Sequence, residues 1–148
     1  MTSAEEEVDL PGYYEYYKTP VKMVATPDGG LTAWRLDKKT GGWQPANDIV
    51  DEILFAIGGE VFVRTPAQFV QRTEAVRGRY LKGEGPIFAL YETVKAIDDV
   101  AVAEGRPYTA EEAALIAGIR RRTFVMFEEQ LQQAGDPGAD PTIATAAS

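Results

Sequence analysis

The second half of the chain carries strong signals for helix starts, and these signals limit its possible folds more than any other feature. Thr65 is followed by proline and, three residues on, by Gln68, which together form a capping box with a first-turn proline. Thr109 and Glu112 repeat the capping-box spacing, and Pro86 opens a run between them. Apolar residues recur at helical spacing after each start. The sequence therefore predicts three helices, whose short connections favour antiparallel packing.

The first half of the chain has a different pattern, with short apolar stretches separated by turn residues. Gly29 and Gly30 end one turn, and Gly41 and Gly42 end another. These turns separate predicted strands at residues 21–25, 31–36 and 60–64, with a short helix after Asn47 that closes at Gly58 and Gly59. Strands first and helices afterwards indicate an α+β fold, with a small N-terminal antiparallel β unit followed by a three-helix antiparallel half.

The net charge of −8 is concentrated at the two ends of the chain. Six acidic residues without any nearby base account for most of it, namely Glu5, Glu6, Glu7, Asp9, Asp136 and Asp140. Residues 13–134 keep a net charge of only −2 once these are set aside. Both ends also lack an apolar helical face, and Pro and Gly interrupt the second. We therefore predict an acidic disordered tail over 1–12, one α+β domain over 13–134, and a disordered tail over 135–148.

The composition excludes several classes of catalytic site. The chain contains no Cys and no His, and Ser3 and Ser148 are its only serines. Disulfides, Cys- or His-based metal sites, and catalysis by a Ser-His-Asp or Cys-His arrangement are thus excluded. No phosphate-loop or dinucleotide-binding motif is present. We expect no cofactor and no metal.

The start of the chain is acidic, whereas a secretory signal begins with basic residues followed by an apolar run. No segment reaches the roughly 20 apolar residues that a membrane span needs. The sequence therefore favours a cytoplasmic protein that makes no contact with a membrane.

Tyrosines are unusually dense just after the acidic start, at Tyr13, Tyr14, Tyr16 and Tyr17. An extended segment would place two of them on each of its faces. One alternative is an edge strand with both faces covered, and another is a strand that binds a partner or a second copy. Base stacking on these rings is a third, disfavoured by the lack of surrounding basic residues. Trp43 is a further candidate for an exposed anchor.

A charged residue falls on the apolar side of each of two predicted helices. Arg77 lies on the side of Tyr80, and Asp98 on the side of Tyr91. Because an unpaired buried charge is too costly, Arg77 must meet an acid, a carbonyl or an anion. An interhelical ion pair, Arg77–Asp98 or Arg122–Asp98, is one interpretation. The alternative is a ligand pocket in which five side chains converge, namely Arg77, Tyr80, Tyr91, Asp98 and Arg122.

Phe88, Phe124 and Val125 fall outside the main apolar stripes of their helices. Such a second apolar face is typical of a fully enclosed helix or of an oligomer interface. The sequence therefore does not decide whether the protein forms a homo-oligomer through these residues.

The favoured function is a small non-enzymatic protein that binds another protein through an aromatic-rich surface, as an adaptor, an inhibitor or an immunity-type protein. The alternative is a small enzyme or ligand-binding protein that uses the pocket around Arg77. Nucleic-acid binding is disfavoured because the arginines are dispersed and the balance is acidic.

Overall fold

The first half of the chain folds into one antiparallel sheet. The computed structural model describes residues 9–55 and 59–146, and these form the strands β1 (Gly12–Tyr16), β2 (Thr19–Ala25), β3 (Leu31–Leu36), β4 (Trp43–Pro45) and β5 (Val61–Arg64). The order across the sheet is β4-β3-β2-β1-β5. The first four strands follow one another as neighbours, and β5 then returns to pair with β1. As a result β1 lies inside the sheet, and β4 and β5 are its edges.

The second half is helical, as the sequence predicts. A 3₁₀ turn at Asn47–Ile49 leads into α1 (Val50–Phe55), and the later helices are α2 (Pro66–Tyr80), α3 (Pro86–Ala103), α4 (Ala110–Gln133) and the short α5 (Ile143–Ala146). Both predicted capping boxes are present, at Thr65 and at Thr109. The α+β class, with a β unit that contains one short helix before three long helices, is confirmed.

Neighbouring residues of β1 and β2 point to opposite faces of the sheet. Both of these faces are covered by other parts of the chain. Tyr14 and Met23 contribute to the core beneath α1. Tyr13 and Trp43 contribute to a second core beneath α2 and α4, together with Phe124. A third cluster joins α3 to α4. The sheet is therefore a middle layer between one short helix and a pair of long ones.

The segment after α4 differs from the predicted disordered tail. Residues 136–146 lie against the body, where the Asp136 carboxylate accepts the Trp43 backbone N–H at 2.9 Å and Ile143 is buried in the second core. Gly138 allows this approach, because a Cβ there would lie 2.5 Å from the Trp43 Cβ. The small residues of this segment suggested a disordered tail, but in the structure they allow it to pack closely against the body. Residues 1–8 of the predicted N-terminal tail, residues 147–148 and Gly58 lie outside the described residues.

Shortening Ile143 tests whether this segment is part of the domain. Ile143→Ala should lower the free energy of unfolding by about 2–5 kcal/mol, as measured by urea denaturation, because it opens a cavity beside Phe69 and Phe124. Leu115→Ala is the control, since Leu115 is exposed on α4 and should change stability by less than about 0.5 kcal/mol. Equal effects of the two substitutions would contradict the packing of this segment.

Candidate functional site

A buried ion-pair network lies at the centre of the helical half, around Arg77. The Arg77 side chain is only 1% exposed. Its Nη1 donates to Glu74 at 2.8 Å and its Nη2 to Glu128 at 2.6 Å. Nε and Nη2 also donate to the Gly41 carbonyl at 3.0 and 2.8 Å. The Phe127 ring covers the guanidinium at 4.1 Å. Protein groups therefore enclose this cation.

The two carboxylates of the network have further partners that belong to other elements. The Trp43 indole N–H donates to Glu128 at 2.9 Å, and the Asp140 backbone N–H donates to it at 3.0 Å. The Tyr91 hydroxyl donates to Glu74 at 2.8 Å. The network therefore ties α2 to α3, α4, β4 and the C-terminal segment.

The prediction that Arg77 forms an interhelical ion pair is confirmed, but the predicted partner, Asp98, was wrong. Arg77 pairs across helices with Glu128 of α4, whereas Asp98 accepts a hydrogen bond from Tyr108. Glu74 lies three residues before Arg77 in α2, and this spacing could have identified it as an ion-pair partner from the sequence. No sequence signal marked Glu128, because its partner is far away in the chain.

The five side chains of the predicted ligand pocket do not converge in the structure. Arg77 and Tyr91 share the buried network, whereas Tyr80 and Arg122 are exposed and Asp98 faces Tyr108. The buried guanidinium presents no surface to a ligand in this conformation.

Burial and charge shift the pKa values within this network. Burial raises the pKa of Glu74, although Arg77 opposes the shift. Burial alone would lower the pKa of Arg77, but the carboxylates of Glu74 and Glu128 outweigh it and raise the pKa. Burial lowers the pKa of Lys22, whose ammonium lies 4.7 Å from the Trp43 ring centroid, and Glu128 opposes this shift. Burial thus favours the neutral forms of Glu74 and Lys22, whereas the neighbouring carboxylates favour the charged form of Arg77.

Lys22 predicts a specific dependence of stability on pH. A lysine whose folded-state pKa is depressed contributes stability that is present above its unfolded-state pKa and lost as pH falls through the folded-state pKa. The stability of the native protein relative to Lys22→Met should therefore increase as pH rises towards about 10.4. Urea denaturation of both proteins from neutral to alkaline pH measures this difference.

The exposed Lys82 provides the control for this comparison, because Lys82→Met removes an amino group that water surrounds. Lys82→Met should change the free energy of unfolding by less than about 0.5 kcal/mol at neutral pH. If the stability of the native protein relative to Lys22→Met stayed flat or fell as pH rose, the burial of the Lys22 ammonium would be contradicted.

The tyrosine run and Trp43 are largely buried, in contrast to the predicted binding surface. Tyr13 and Tyr14 point to opposite faces of the sheet and lie in its two cores, and β5 covers the outer backbone edge of β1. The Tyr16 hydroxyl donates to Glu52 at 2.7 Å, and this bond raises its pKa to about 12. Trp43, predicted to be an exposed anchor, is 4% exposed. Tyr17 is the most exposed residue of this set, at 56%.

Tyr17 and Lys18 form the two-residue loop between β1 and β2. Their φ angles are 48° and 65°, in the left-handed region that side chains disfavour. Type I′ hairpin loops have this geometry and usually contain Asn-Gly. The loop therefore holds two bulky side chains at some cost in stability.

Relieving this backbone strain should stabilise the protein. Replacing Tyr17 by Asn and Lys18 by Gly should increase the free energy of unfolding by about 1 kcal/mol, and Tm by roughly 3 °C, in thermal denaturation. The pair Tyr17→Phe and Lys18→Arg keeps the strain and should leave Tm unchanged. An unchanged Tm for the Asn-Gly loop would show that the loop is not strained.

The outer edge of β5 offers backbone groups for pairing. The Tyr17 N–H donates to the Glu60 carbonyl at 2.9 Å, which marks these two as a hydrogen-bonded pair. Because such pairs alternate in an antiparallel ladder, Phe62 also bonds to β1. The backbone groups of Val61 and Val63 therefore point away from β1, and no other strand of the described chain lies on that side. Because Val61 is only 2% exposed, the outward groups that a partner can reach are those of Val63.

The opposite edge of the sheet is blocked. The Ala46 N–H donates to the Ala33 carbonyl, so the outward positions of β4 are Trp43 and Pro45. Asp136 accepts the Trp43 N–H, and a proline has no N–H to offer. Within the described chain, the edge formed by β5 is the one that has an exposed outward N–H, at Val63.

Exposed apolar side chains surround this available edge. Val63 is 60% exposed, and Phe62 is 45% exposed. Tyr17 lies beside the start of the strand, where its N–H bonds to Glu60. We name Tyr17, Phe62 and Val63, with the outward backbone of β5, the β5 edge.

The predicted oligomer residues are mostly covered by the chain itself. Phe124 is buried in the second core, which is a correction to its proposed place on an interface. Val125 packs partly against that core, and Phe88 meets the Tyr91 ring edge-on at 5.7 Å. These contacts correspond to the enclosed-helix alternative.

No group of three or more Asp or Glu side chains within residues 9–55 and 59–146 has the arrangement of a metal site. None of the helices described has the length and apolar character needed to cross a membrane. Comparison with protein-family models, with curated proteins and with solved structures finds no match.

Proposed function

We propose that the protein is a small non-enzymatic, cytoplasmic protein that binds another protein, as an adaptor, an inhibitor or an immunity-type protein. Its binding surface is the β5 edge, to which an extended segment of the partner adds as a further strand. The observation that carries this proposal is the contrast between the two edges of the sheet, one blocked by Asp136 and Pro45 and the other available.

Strand addition obtains its affinity from main-chain hydrogen bonds and its specificity from alternate side chains. Val63, which is 60% exposed, supplies an outward N–H and C=O, whereas Val61 is only 2% exposed and its outward groups are covered. Strand β5 is short, so a partner segment of about four or five residues would cover it.

The side chains around the β5 edge supply apolar contact on both sides of an added strand. Phe62 pairs with Glu15 and lies on the α2 side, whereas Val63 pairs with Tyr14 and lies on the α1 side. Tyr17 lies at the start of the strand, and its ring contributes contact area at a low cost in side-chain entropy. This arrangement retains the predicted aromatic binding surface but moves it from β1 to β5.

A proline at position 63 tests the proposal directly, since it removes the outward N–H and costs no bond to β1. The full chain is first immobilised to capture its partner from a lysate of its source cells, and the partner is identified by mass spectrometry and purified. Val63→Pro should weaken binding of the purified partner by about tenfold or more. Val63→Thr retains the N–H and should bind like the native protein.

Hydrogen exchange provides a second measurement, because an added strand should protect the exposed Val63 amide. Equal binding by Val63→Pro and Val63→Thr, or unchanged amide exchange, would contradict strand addition. A homodimer that dissociates on Val63→Pro would instead assign the β5 edge to a second copy of the chain.

A further inference from the structure

A basic groove opens beside the C-terminal end of α2, separate from the β5 edge. Its volume is about 320 Å³, and its charged and aromatic lining consists of Glu15, Lys18, Lys38, Arg72, Arg79 and Tyr80. Four cations and one carboxylate therefore face the same space in a chain whose net charge is −8.

The topology brings these cations together from separate parts of the sequence. Strands β1 and β3 are both antiparallel to β2, so their C-terminal ends lie at the same end of the sheet. Lys18 follows β1 and Lys38 follows β3 at that end. The last turn of α2 brings Arg79 and Tyr80 to the same place.

The groove has little negative charge of its own to neutralise these cations. The Glu15 carboxylate lies 2.7 Å from Arg72 Nε and 3.3 Å from Arg64 Nε, so it already has two cationic neighbours. No acid of the described chain lies within ion-pair distance of Lys18, Lys38 or Arg79. These three positive charges are available to a ligand.

The walls of the groove are not uniformly charged. Ala75 and Val76 of α2 line it together with the half-exposed Tyr80 ring. Lys38 and Arg79 lie 5.3 and 5.5 Å from the centroid of that ring. Cations therefore alternate with apolar surface along the groove.

We propose that this groove binds an acidic segment of a protein, in which Asp or Glu residues alternate with apolar ones. Because the cations come from three separate elements, they match several spaced carboxylates better than one compact phosphate. Lys38 and Arg79 already contact the Tyr80 ring, which disfavours stacking of a nucleotide base on it. The site is distinct from the β5 edge and does not depend on the function proposed for that edge.

The strained loop is an independent observation that points to the same groove. Lys18 lines the groove, and its backbone lies in the left-handed region at φ 65°. Backbone strain of this kind persists where a side chain serves a function that a less strained residue would lose. Glycine at position 18 would relax the loop and remove one of the three available charges.

Fluorescence anisotropy with a labelled peptide of sequence Glu-Glu-Leu-Glu-Glu-Leu-Glu-Glu tests the proposal. The full native chain should bind this peptide at low ionic strength, and added salt should weaken the binding. Lys38→Glu combined with Arg79→Glu should weaken it by about tenfold or more. Lys95→Glu combined with Arg121→Glu alters the net charge equally at exposed positions of α3 and α4, and this control should bind like the native chain.

Further variants separate the binding role from folding. The Asn-Gly loop at positions 17 and 18 should bind the peptide more weakly although it is more stable, so a loss of fold would not explain its loss of affinity. Val63→Pro should bind the peptide normally, which distinguishes the groove from the β5 edge.

Several outcomes would overturn the acidic-segment assignment. These are no binding by the native chain at low ionic strength, equal weakening by the groove pair and the control pair, or undiminished binding by the Asn-Gly loop. Tighter binding of inorganic pyrophosphate or of an oligothymidylate than of the peptide would also overturn it, in favour of a phosphate ligand.

Discussion

The fold depends on how one buried arginine is neutralised. Moving a guanidinium out of water is costly, and attraction to carboxylates offsets this cost only where the geometry is good and the remaining polar atoms are satisfied. Arg77 meets these conditions with Glu74, Glu128 and the Gly41 carbonyl. Since these groups belong to two helices and a turn of the sheet, the requirement to satisfy one cation fixes how the helices lie on the sheet.

The network also explains why Trp43 is buried. Its indole N–H needs an acceptor away from water, and Glu128 provides one. Lys22 lies over the same ring. The charged and aromatic residues that suggested an accessible site therefore form a polar core, and the surfaces left for binding are at the sheet edge and at the end of α2.

Features with a local cause could be predicted from the sequence. The capping boxes at Thr65 and Thr109 depend on residues three apart, and β3 spans the predicted residues 31–36. The α+β class follows from the order of such elements. Local signals also identified Arg77 as a buried cation that requires a partner.

Features that depend on distant residues could not be predicted. The tyrosines of β1 are covered by elements that pack on the two faces of the sheet, and β1 is an interior strand because β5 pairs with it. No local pattern specifies either contact. Glu128 meets Arg77 only through helix packing. The β5 edge and the basic groove likewise combine residues that are remote in sequence, so neither was identified as a site. Tyr17 and Tyr80 were singled out, but for other arrangements.

The C-terminal segment has a consequence for synthesis of the protein. A ribosome makes the sheet first, then the long helices, and after both of these Asp140 and Ile143, which complete the environment of Glu128 and Phe69. Until those last residues leave the exit tunnel, the nascent chain cannot close its second core. The second core therefore cannot acquire its final packing before these two residues have been synthesised.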